Sequence, residues 1–381
     1  MEHIYFDHNA TTPIDETVFE AMLPYLRDRY GNASSRHELG TVARKAVNRA
    51  REQVAALVNV QPSQVIFVSG GTEANNFFIK GAAGYLKPVQ IAVSGIEHPC
   101  VAKPAQDLAR QGWKLRQLAV DAEGRADLAD LDEALKEPTG IVSLMLANNE
   151  TGVIQPVAAA AERARRAKAW MHTDAVQALG KIAVNFEALG VHAMTLSAHK
   201  LYGPKGAGAL IIDKRLQLRP LIHGGGHEQG LRSGTENVPA IVGFGSACEL
   251  AASRYATTGA RLERLRTRLE EGLRGLGAMI FGARAPRIAN TSYFAFKGIV
   301  GETLVIELDR VGFAVAPGAA CSSTSPEPSA TLLAMGVDPE LARGAVRLSL
   351  GVGNTQREID DFLRALKGIL SRLKGLTAMA V

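Results

Sequence analysis

Three short strings place groups capable of chemistry at points where a strand gives way to a turn. Ser69-Gly70-Gly71-Thr72-Glu73-Ala74-Asn75-Asn76 follows the apolar run Val65–Val68 and opens a helical segment. Its small residues let backbone approach a ligand closely, and free N–H groups at a helix start, with the Thr72 hydroxyl, suit a phosphate. An ordinary capped strand-to-helix turn reads the same way. In Trp170-Met171-His172-Thr173-Asp174-Ala175-Val176-Gln177, Asp174 falls where a strand ends. It either caps the next helix or pairs with a cationic ring nitrogen, and Gln177 reaches the same side if a helical turn begins there. In Ser197-Ala198-His199-Lys200-Leu201-Tyr202-Gly203-Pro204-Lys205-Gly206, Lys200 stands at a strand's carboxyl end before a Gly-Pro turn. Most lysines are solvated surface charges, but an amine held in such a place forms a Schiff base once its pKa is lowered. Phosphate turn, carboxylate and lysine together meet the needs of pyridoxal phosphate: an anion cradle, a partner for the pyridinium and an amine for the aldehyde.

Such groups need a scaffold of strand ends. Strands are expected over Val65–Val68, Ile91–Ser94, Ile141–Leu146, Trp170–Thr173, Ala193–Leu196 and Ala209–Ile212, with amphipathic helices such as Leu39–Val58 and Val157–Lys168 between them. This alternation argues for βαβ units, a largely parallel sheet and helices on both faces. Ligands then sit beyond the carboxyl ends of the strands. From about Ala260 the texture changes. An arginine-rich helix carries leucines at 262, 265, 269, 273 and 276, followed by expected strands at Asn290–Phe296, Phe313–Val315 and Ala345–Leu350. The expected division is an N-terminal segment, 1–15, packed on the body, a large domain, 16–257, and a smaller C-terminal α/β domain, 258–381.

Composition bounds the function classes. With 46% hydrophobic and 21% charged residues, the 381-residue chain can bury a large core and is neither disordered nor fibrous. Its three cysteines exclude a disulfide scaffold and a four-cysteine zinc site, and no metal site is expected. No uncharged apolar run is long enough to span a bilayer, and Met1–Asp7 lacks the basic start and apolar stretch of a signal peptide. A cytoplasmic, reducing setting without membrane contact is expected. The net charge of +5 is mild, and the densest basic stretch, Arg261–Arg274, reads as the wet face of a helix, so nucleic acid is not an expected partner.

The chain resembles cysteine desulfurases of the NifS/IscS type, within the class V, fold-type I pyridoxal-phosphate enzymes, over nearly its full length. The resemblance is carried by Tyr5–Pro13, Gly31–Ser35, Gly70–Asn76, Glu97-His98-Pro99, Asn148–Gly152, His172–Gln177, Ser197–Gly206, Arg232–Asn237, Gly318–Ser323 and Val346–Leu350, in family order. It implies a fold-type I architecture: a large domain with a mostly parallel seven-stranded sheet, plus a smaller C-terminal α/β domain. It implies Lys200 as the Schiff-base lysine and His98 as the histidine stacked on the cofactor ring. Asp174 becomes the pyridinium partner, and Gln177 and Asn149 lie near the ring's phenolic oxygen. Gly71, Thr72, Ser197 and His199 form the phosphate cradle. Thr235 matches a threonine donated to the phosphate across a dimer interface, which implies a homodimer.

Arg347 and Cys321 carry the substrate side. In the strand Val346–Leu350 the alternation leaves Arg347 on the face opposite Val346, Leu348 and Leu350. There it can hold an amino-acid carboxylate bidentately, with Asn149 also implied on the substrate, or form a surface salt bridge. Cys321 lies among glycine, alanine, serine and proline, a composition that argues for a surface loop. A thiolate on such a loop can attack a substrate sulfur. Cys248, in an apolar run, fits a buried structural cysteine, and Cys100, beside His98, fits one less well. The implied reaction converts L-cysteine to L-alanine and leaves a persulfide on Cys321. The sulfur then passes to an acceptor such as an iron–sulfur scaffold, where Cys321 can contact the scaffold or its cluster.

Two strings depart from the family. Ala316-Pro317-Gly318-Ala319-Ala320-Cys321 stands where Ser-Ser-Gly-Ser-Ala-Cys is usual, and Gly351-Val352-Gly353-Asn354 stands where Gly-Arg-Phe-Thr is frequent. Pro317 fixes φ and removes an N–H, which bears on the loop's mobility and hydroxyl contacts but not on the thiol. The chain ends soon after its last helix, without the longer tail that some relatives dock on a scaffold. Alternatives are a selenocysteine lyase, an aminotransferase, which would have no need of Cys321, or a silent sulfur-relay protein, against which the Lys200, Asp174, His98 and Cys321 set argues.

Overall fold

The computed structural model describes residues 3–318 and 327–379. The chain enters on a two-residue strand, β1 (Ile4–Tyr5), and then builds a seven-stranded sheet. Its strands are β2 (Val65–Val68), β3 (Gln90–Ser94), β4 (Lys114–Leu118), β5 (Thr139–Ser143), β6 (Trp170–Asp174), β7 (Ala193–Ser197) and β8 (Gly208–Ile212), in the order β2-β8-β7-β6-β5-β3-β4. Only β8 runs against its neighbours; every other pairing is parallel. All residues of β2, β3, β7 and β8 are buried, as a sheet covered on both faces requires.

Sequence patterning locates these strands except β4. That strand reads Lys-Leu-Arg-Gln-Leu, lies at the sheet's edge and fully buries only Leu118. A polar strand with one neighbour carries no core signature. Alternate side chains supply two cores: Ile66 faces Phe77, Phe78 and Trp113, whereas Phe67 faces Val54, Met171 and Phe244. The helices Glu38–Leu57 and Val157–Arg166 lie close to their expected bounds. The latter stops at Arg166 rather than Lys168. Lys168 takes a left-handed φ of 59°, and the Ala169 N–H returns to the Ala164 carbonyl at 2.9 Å, a helix-ending turn.

A second sheet follows. Strands β9 (Met279–Ile280), β10 (Thr291–Ala295), β11 (Phe313–Ala314), β12 (Ala316–Pro317) and β13 (Val346–Ser349) include an antiparallel set in the order β12-β13-β10-β9. The strand expected at Phe313–Val315 is found as β11, which pairs with β1, and β12, just beyond it, pairs with β13. Phe6, Phe294, Phe313, Leu348 and Phe362 belong to the core here.

One helix of 38 residues, Val238–Gly275, serves both units and is roughly 57 Å long. It begins well before the Ala260 start expected from periodicity. Phe244 and Cys248 belong to the first core, and Leu262, Leu265, Leu269 and Leu273 to the second. Between them Ser253, Arg254, Tyr255 and Thr257 are exposed, so the apolar period lapses while the backbone continues. The N-terminal segment ties the units together. Phe6 enters the second core, Asp7 bridges Ser349, and both the N–H and the hydroxyl of Thr12 donate to the His199 carbonyl at 3.0 Å.

Candidate active site

Strands β6 and β7 end side by side on Asp174 and Ser197, and the helix Gly71–Ala83 starts just after β2. A cleft enclosing about 930 Å³ opens over these ends. Its floor holds the anion-binding features expected from sequence. The first N–H groups of the helix have no acceptor within it, and its dipole favours negative charge. Gly71 must stay small, since a Cβ there would stand 3.0 Å from Val176 Cγ2. Gly208 of β8 is equally constrained, for its Cβ would lie 2.7 Å from Gly70 Cα. Ser197 Oγ is buried with no hydrogen-bond partner among the described residues, a donor awaiting an anion.

Asp174 is 6% exposed. Its Oδ1 accepts from the Val176 N–H at 2.9 Å and its Oδ2 from Asn75 Nδ2 at 2.7 Å. No helix follows directly for Asp174 to cap; it accepts the N–H of a turn and lines the cleft with a held carboxylate. Cradle, carboxylate and lysine fit the donor set of pyridoxal phosphate.

Lys200 occupies a short turn after β7, and Nζ donates to the carbonyls of Asn9 and Ala10, each at 2.6 Å. Asn9 is a hub that sequence reasoning passed over. Its carbonyl also accepts from Gln177 Nε2 at 2.9 Å, its Oδ1 accepts from Lys181 Nζ at 2.9 Å, and its Nδ2 donates to Thr291 Oγ1 at 2.8 Å. Lys181 further donates to Gln177 Oε1 at 2.7 Å. Burial first, then the charges of Lys200 and Arg347, hold the Lys181 ammonium well below the usual lysine range. Burial, then Lys200 and Lys205, pushes His199 down to about 4.

Arg347 takes the position that strand alternation predicts. Val346 and Leu348 enter the apolar core, while the guanidinium lines the cleft at 3% residue exposure. Its Nη2 donates to Asp7 Oδ1 at 2.7 Å and its Nη1 to the Asn149 carbonyl at 3.0 Å, and Nε is buried without a partner among the described residues.

His98 caps the helix Pro99–Ala109, accepting the Cys100 N–H at its Nδ1. Burial, partly countered by Asp174 and reinforced by Lys200, lowers its pKa. Glu97, one residue earlier, accepts the Met145 N–H at 2.6 Å. Burial, with the nearby Asp174 charge, pushes its carboxyl up to about 8.

The structure thus brings Gly71, Thr72, His98, Asn149, Asp174, Gln177, Ser197, His199, Lys200 and Arg347 to one cleft. Thr235 is not among its lining residues. It is exposed on a loop that the Arg232–Glu73 ion pair (2.8 Å) fastens to the start of the helix Gly71–Ala83. Cys321 lies outside the described residues. Asn9, Asn75 and Cys100 line the cleft without having been assigned a role there. The available signal was their presence within or beside strings that already stood out: Asn9 in Tyr5–Pro13, Asn75 in Gly70–Asn76, and Cys100 directly after Glu97-His98-Pro99.

Comparison with known proteins gives the family of the chain. The family model described as aminotransferase class-V matches residues 4–362. Cysteine desulfurase IscS of Dictyoglomus turgidum is 42% identical over 378 residues, covering 98% of this chain and 96% of that protein. A solved NifS-like protein superposes with a TM-score of 0.92 at 40% identity, covering 97% of this chain and 99% of its own. The solved structure of SspA in complex with cysteine has a TM-score of 0.81 at 31% identity, covering 91% and 98%.

Proposed function

The chain belongs to the class-V aminotransferase family, among its NifS/IscS-type cysteine desulfurases, and we propose that it converts L-cysteine to L-alanine and carries the released sulfur as a persulfide on Cys321. The observation that carries the reading is the convergence of Lys200, Asp174, Arg347 and the unpartnered Ser197 hydroxyl on one cleft. The neighbour solved with cysteine supports the choice of substrate.

Pyridoxal phosphate, when bound, supplies an aldehyde that takes up amines and a ring that accepts the electron pair released at a substrate's α-carbon. Asp174 would hold the cofactor's ring nitrogen in its protonated form. Thr72, Ser197, His199 and the helix start would hold the phosphate, and Gln177 and Asn149 would serve the phenolic oxygen. Arg347 binds the substrate carboxylate, with Asn149 beside it. Lys200 supplies the resident amine and then moves the α-proton, with His98 as the second acid–base group. Cys321 attacks the substrate sulfur. An S–S bond forms as the C–S bond breaks, and the carbon keeps the electron pair and takes up a proton. One cysteine and one enzyme thiol thereby become one alanine and one enzyme persulfide.

Incubation with L-cysteine tests this directly. Alanine and sulfide should appear in equal amounts with a reductant present, and Cys321→Ala should release neither. Without reductant, the Cys321 peptide of the wild type should gain one sulfur atom. A persulfide on Cys100 or Cys248 instead, or full activity in Cys321→Ala, would overturn the assignment.

A homodimer belongs to the same reading, with Thr235 reaching the partner's phosphate; its exposure, away from its own cleft, supports this. Mixing inactive Lys200→Ala and Thr235→Ala subunits should restore activity if sites are shared. The sulfur acceptor is an iron–sulfur scaffold or a comparable protein, and the setting is cytoplasmic; among the described residues no helix is long and apolar enough to cross a membrane. Division into an N-terminal segment, a large domain and a domain from 258 is supported by the handover of the long helix from one core to the other.

A further inference from the structure

Behind His98 a chain of donors and acceptors runs to Asp174 through two residues with no assigned role. Asn75 Nδ2 stands 2.7 Å from Asp174 Oδ2 and 3.0 Å from Cys100 Sγ, so its two hydrogens have two acceptors. This fixes the amide, whose Oδ1 is buried and has no hydrogen-bond partner among the described residues. Cys100 Sγ in turn lies 2.8 Å from His98 Nδ1. The backbone N–H of Cys100 points at the same nitrogen, 3.2 Å away.

The direction of the last bond follows from that pair of contacts. A hydrogen on Nδ1 would face the Cys100 N–H, donor against donor. That contact favours a bare Nδ1, as in an N-cap acceptor, but at 3.2 Å it is long and does not fix the tautomer alone. The thiol makes the shorter contact, and it meets a bare Nδ1 by donating, which requires that it stay protonated. Burial, then the Asp174 charge, pushes the thiol up to about 12, so it does stay protonated at neutral pH.

We infer that Cys100 is a positioning residue that fixes the tautomer of His98, leaving Nδ1 bare and the proton on Nε2, and that Asn75 ties this choice to Asp174. Burial lowers the His98 pKa, so the neutral ring is the working form. Its remaining hydrogen sits on Nε2, so that nitrogen donates a hydrogen bond and has no lone pair with which to take a proton. This assigns the first removal of the α-proton to Lys200 and a hydrogen-bond-donating role to His98. That division of labour rests on the pyridoxal-phosphate reading; the tautomer does not.

The test uses holoenzyme labelled with ¹⁵N-histidine, with His98 identified by the signal lost in His98→Gln. The wild type should show a bare Nδ1 and a protonated Nε2 between pH 6 and 8. Cys100→Ala keeps only the long backbone contact and should give a mixture of tautomers, and Cys100→Ser should restore the single form. In parallel, kcat/KM for L-cysteine should fall about threefold to tenfold in Cys100→Ala and recover in Cys100→Ser, the range of one hydrogen bond. A protonated Nδ1 in the wild type, or an unchanged tautomer in Cys100→Ala, overturns the inference. Absence of desulfuration in a wild type whose tautomer does depend on Cys100 overturns the cysteine reading and leaves the positioning role standing.

Discussion

The two walls of the cleft are built in opposite ways. One consists of strand ends and the turns that follow them: Asp174, Ser197, Lys200 and the start of the helix at Gly71. Each group there is fixed by a few residues of local sequence. The other wall is assembled from distant parts of the chain. The Asn9 N–H donates to the Ser349 hydroxyl oxygen at 2.9 Å, and Asp7 pairs with Arg347 at 2.7 Å. The first wall holds the groups assigned to the cofactor, and the second grips the first and presents the guanidinium. Chemistry is thus encoded locally, while alignment is encoded at long range.

The largest expected effect lies on the local wall. Lys200→Ala should lower alanine formation by about a thousandfold or more, the scale of losing a positioned proton carrier. Borohydride reduction and peptide mapping should place the cofactor on the Lys200 peptide of the wild type. A reduced adduct on another lysine would break the division between the walls.

Arg347→Ala should act on binding. Truncating one partner of a buried hydrogen-bonded charge pair costs 2–5 kcal/mol, so KM for L-cysteine should rise about a hundredfold, with kcat changed much less. An equal fall in kcat would show that this wall takes part in the chemistry.

Asn9→Ala should appear mainly in stability. It leaves Lys181 and Asn290 each short of an acceptor, and denaturant titration should show a loss of about 2–3 kcal/mol. A thousandfold activity loss in a fully stable variant would contradict the contrast drawn above.

The smallest effect concerns pH. The Glu97 carboxyl is raised in the folded state, so it holds its proton after the unfolded chain has released it. Its contribution is present below about pH 4.5 and is lost as pH rises through about 8. Stability should fall over that window, and Glu97→Gln should flatten the fall. A wild-type profile that rises across the same window would place the carboxylate, not the acid, beside Asp174.

The same contrast explains what could be read before the fold was known. Strands β2, β3, β5, β6, β7 and β8 announce themselves as apolar runs, and Asp174 and Lys200 stand out because each ends one. Strand β4 is polar because it has one neighbour, and the long helix hides its continuity where it crosses between cores. Alternation set the face of Arg347, and the family resemblance chose the cleft over a surface salt bridge. Asn9 and Asn75 were not legible, because an asparagine reads as a turn former until its partners, up to 340 positions away, are known. Cys100 stood out as the weaker case for a structural cysteine because of its place beside His98, and it touches His98 and Asn75.

The pairing of the first strand with Phe313–Ala314, and of Asn9 with Ser349, also sets a schedule. The central sheet is complete in sequence once Ile212 has been made, but the clasp across the cleft needs residues near 349. At 5–20 residues per second, a growing chain would carry a finished sheet and an unfinished clasp for roughly 7–27 s. Ribosome-bound chains halted before residue 346 should therefore have the cradle but no grip on an amino-acid carboxylate. The geometry delays substrate capture until the chain has been made to about residue 349.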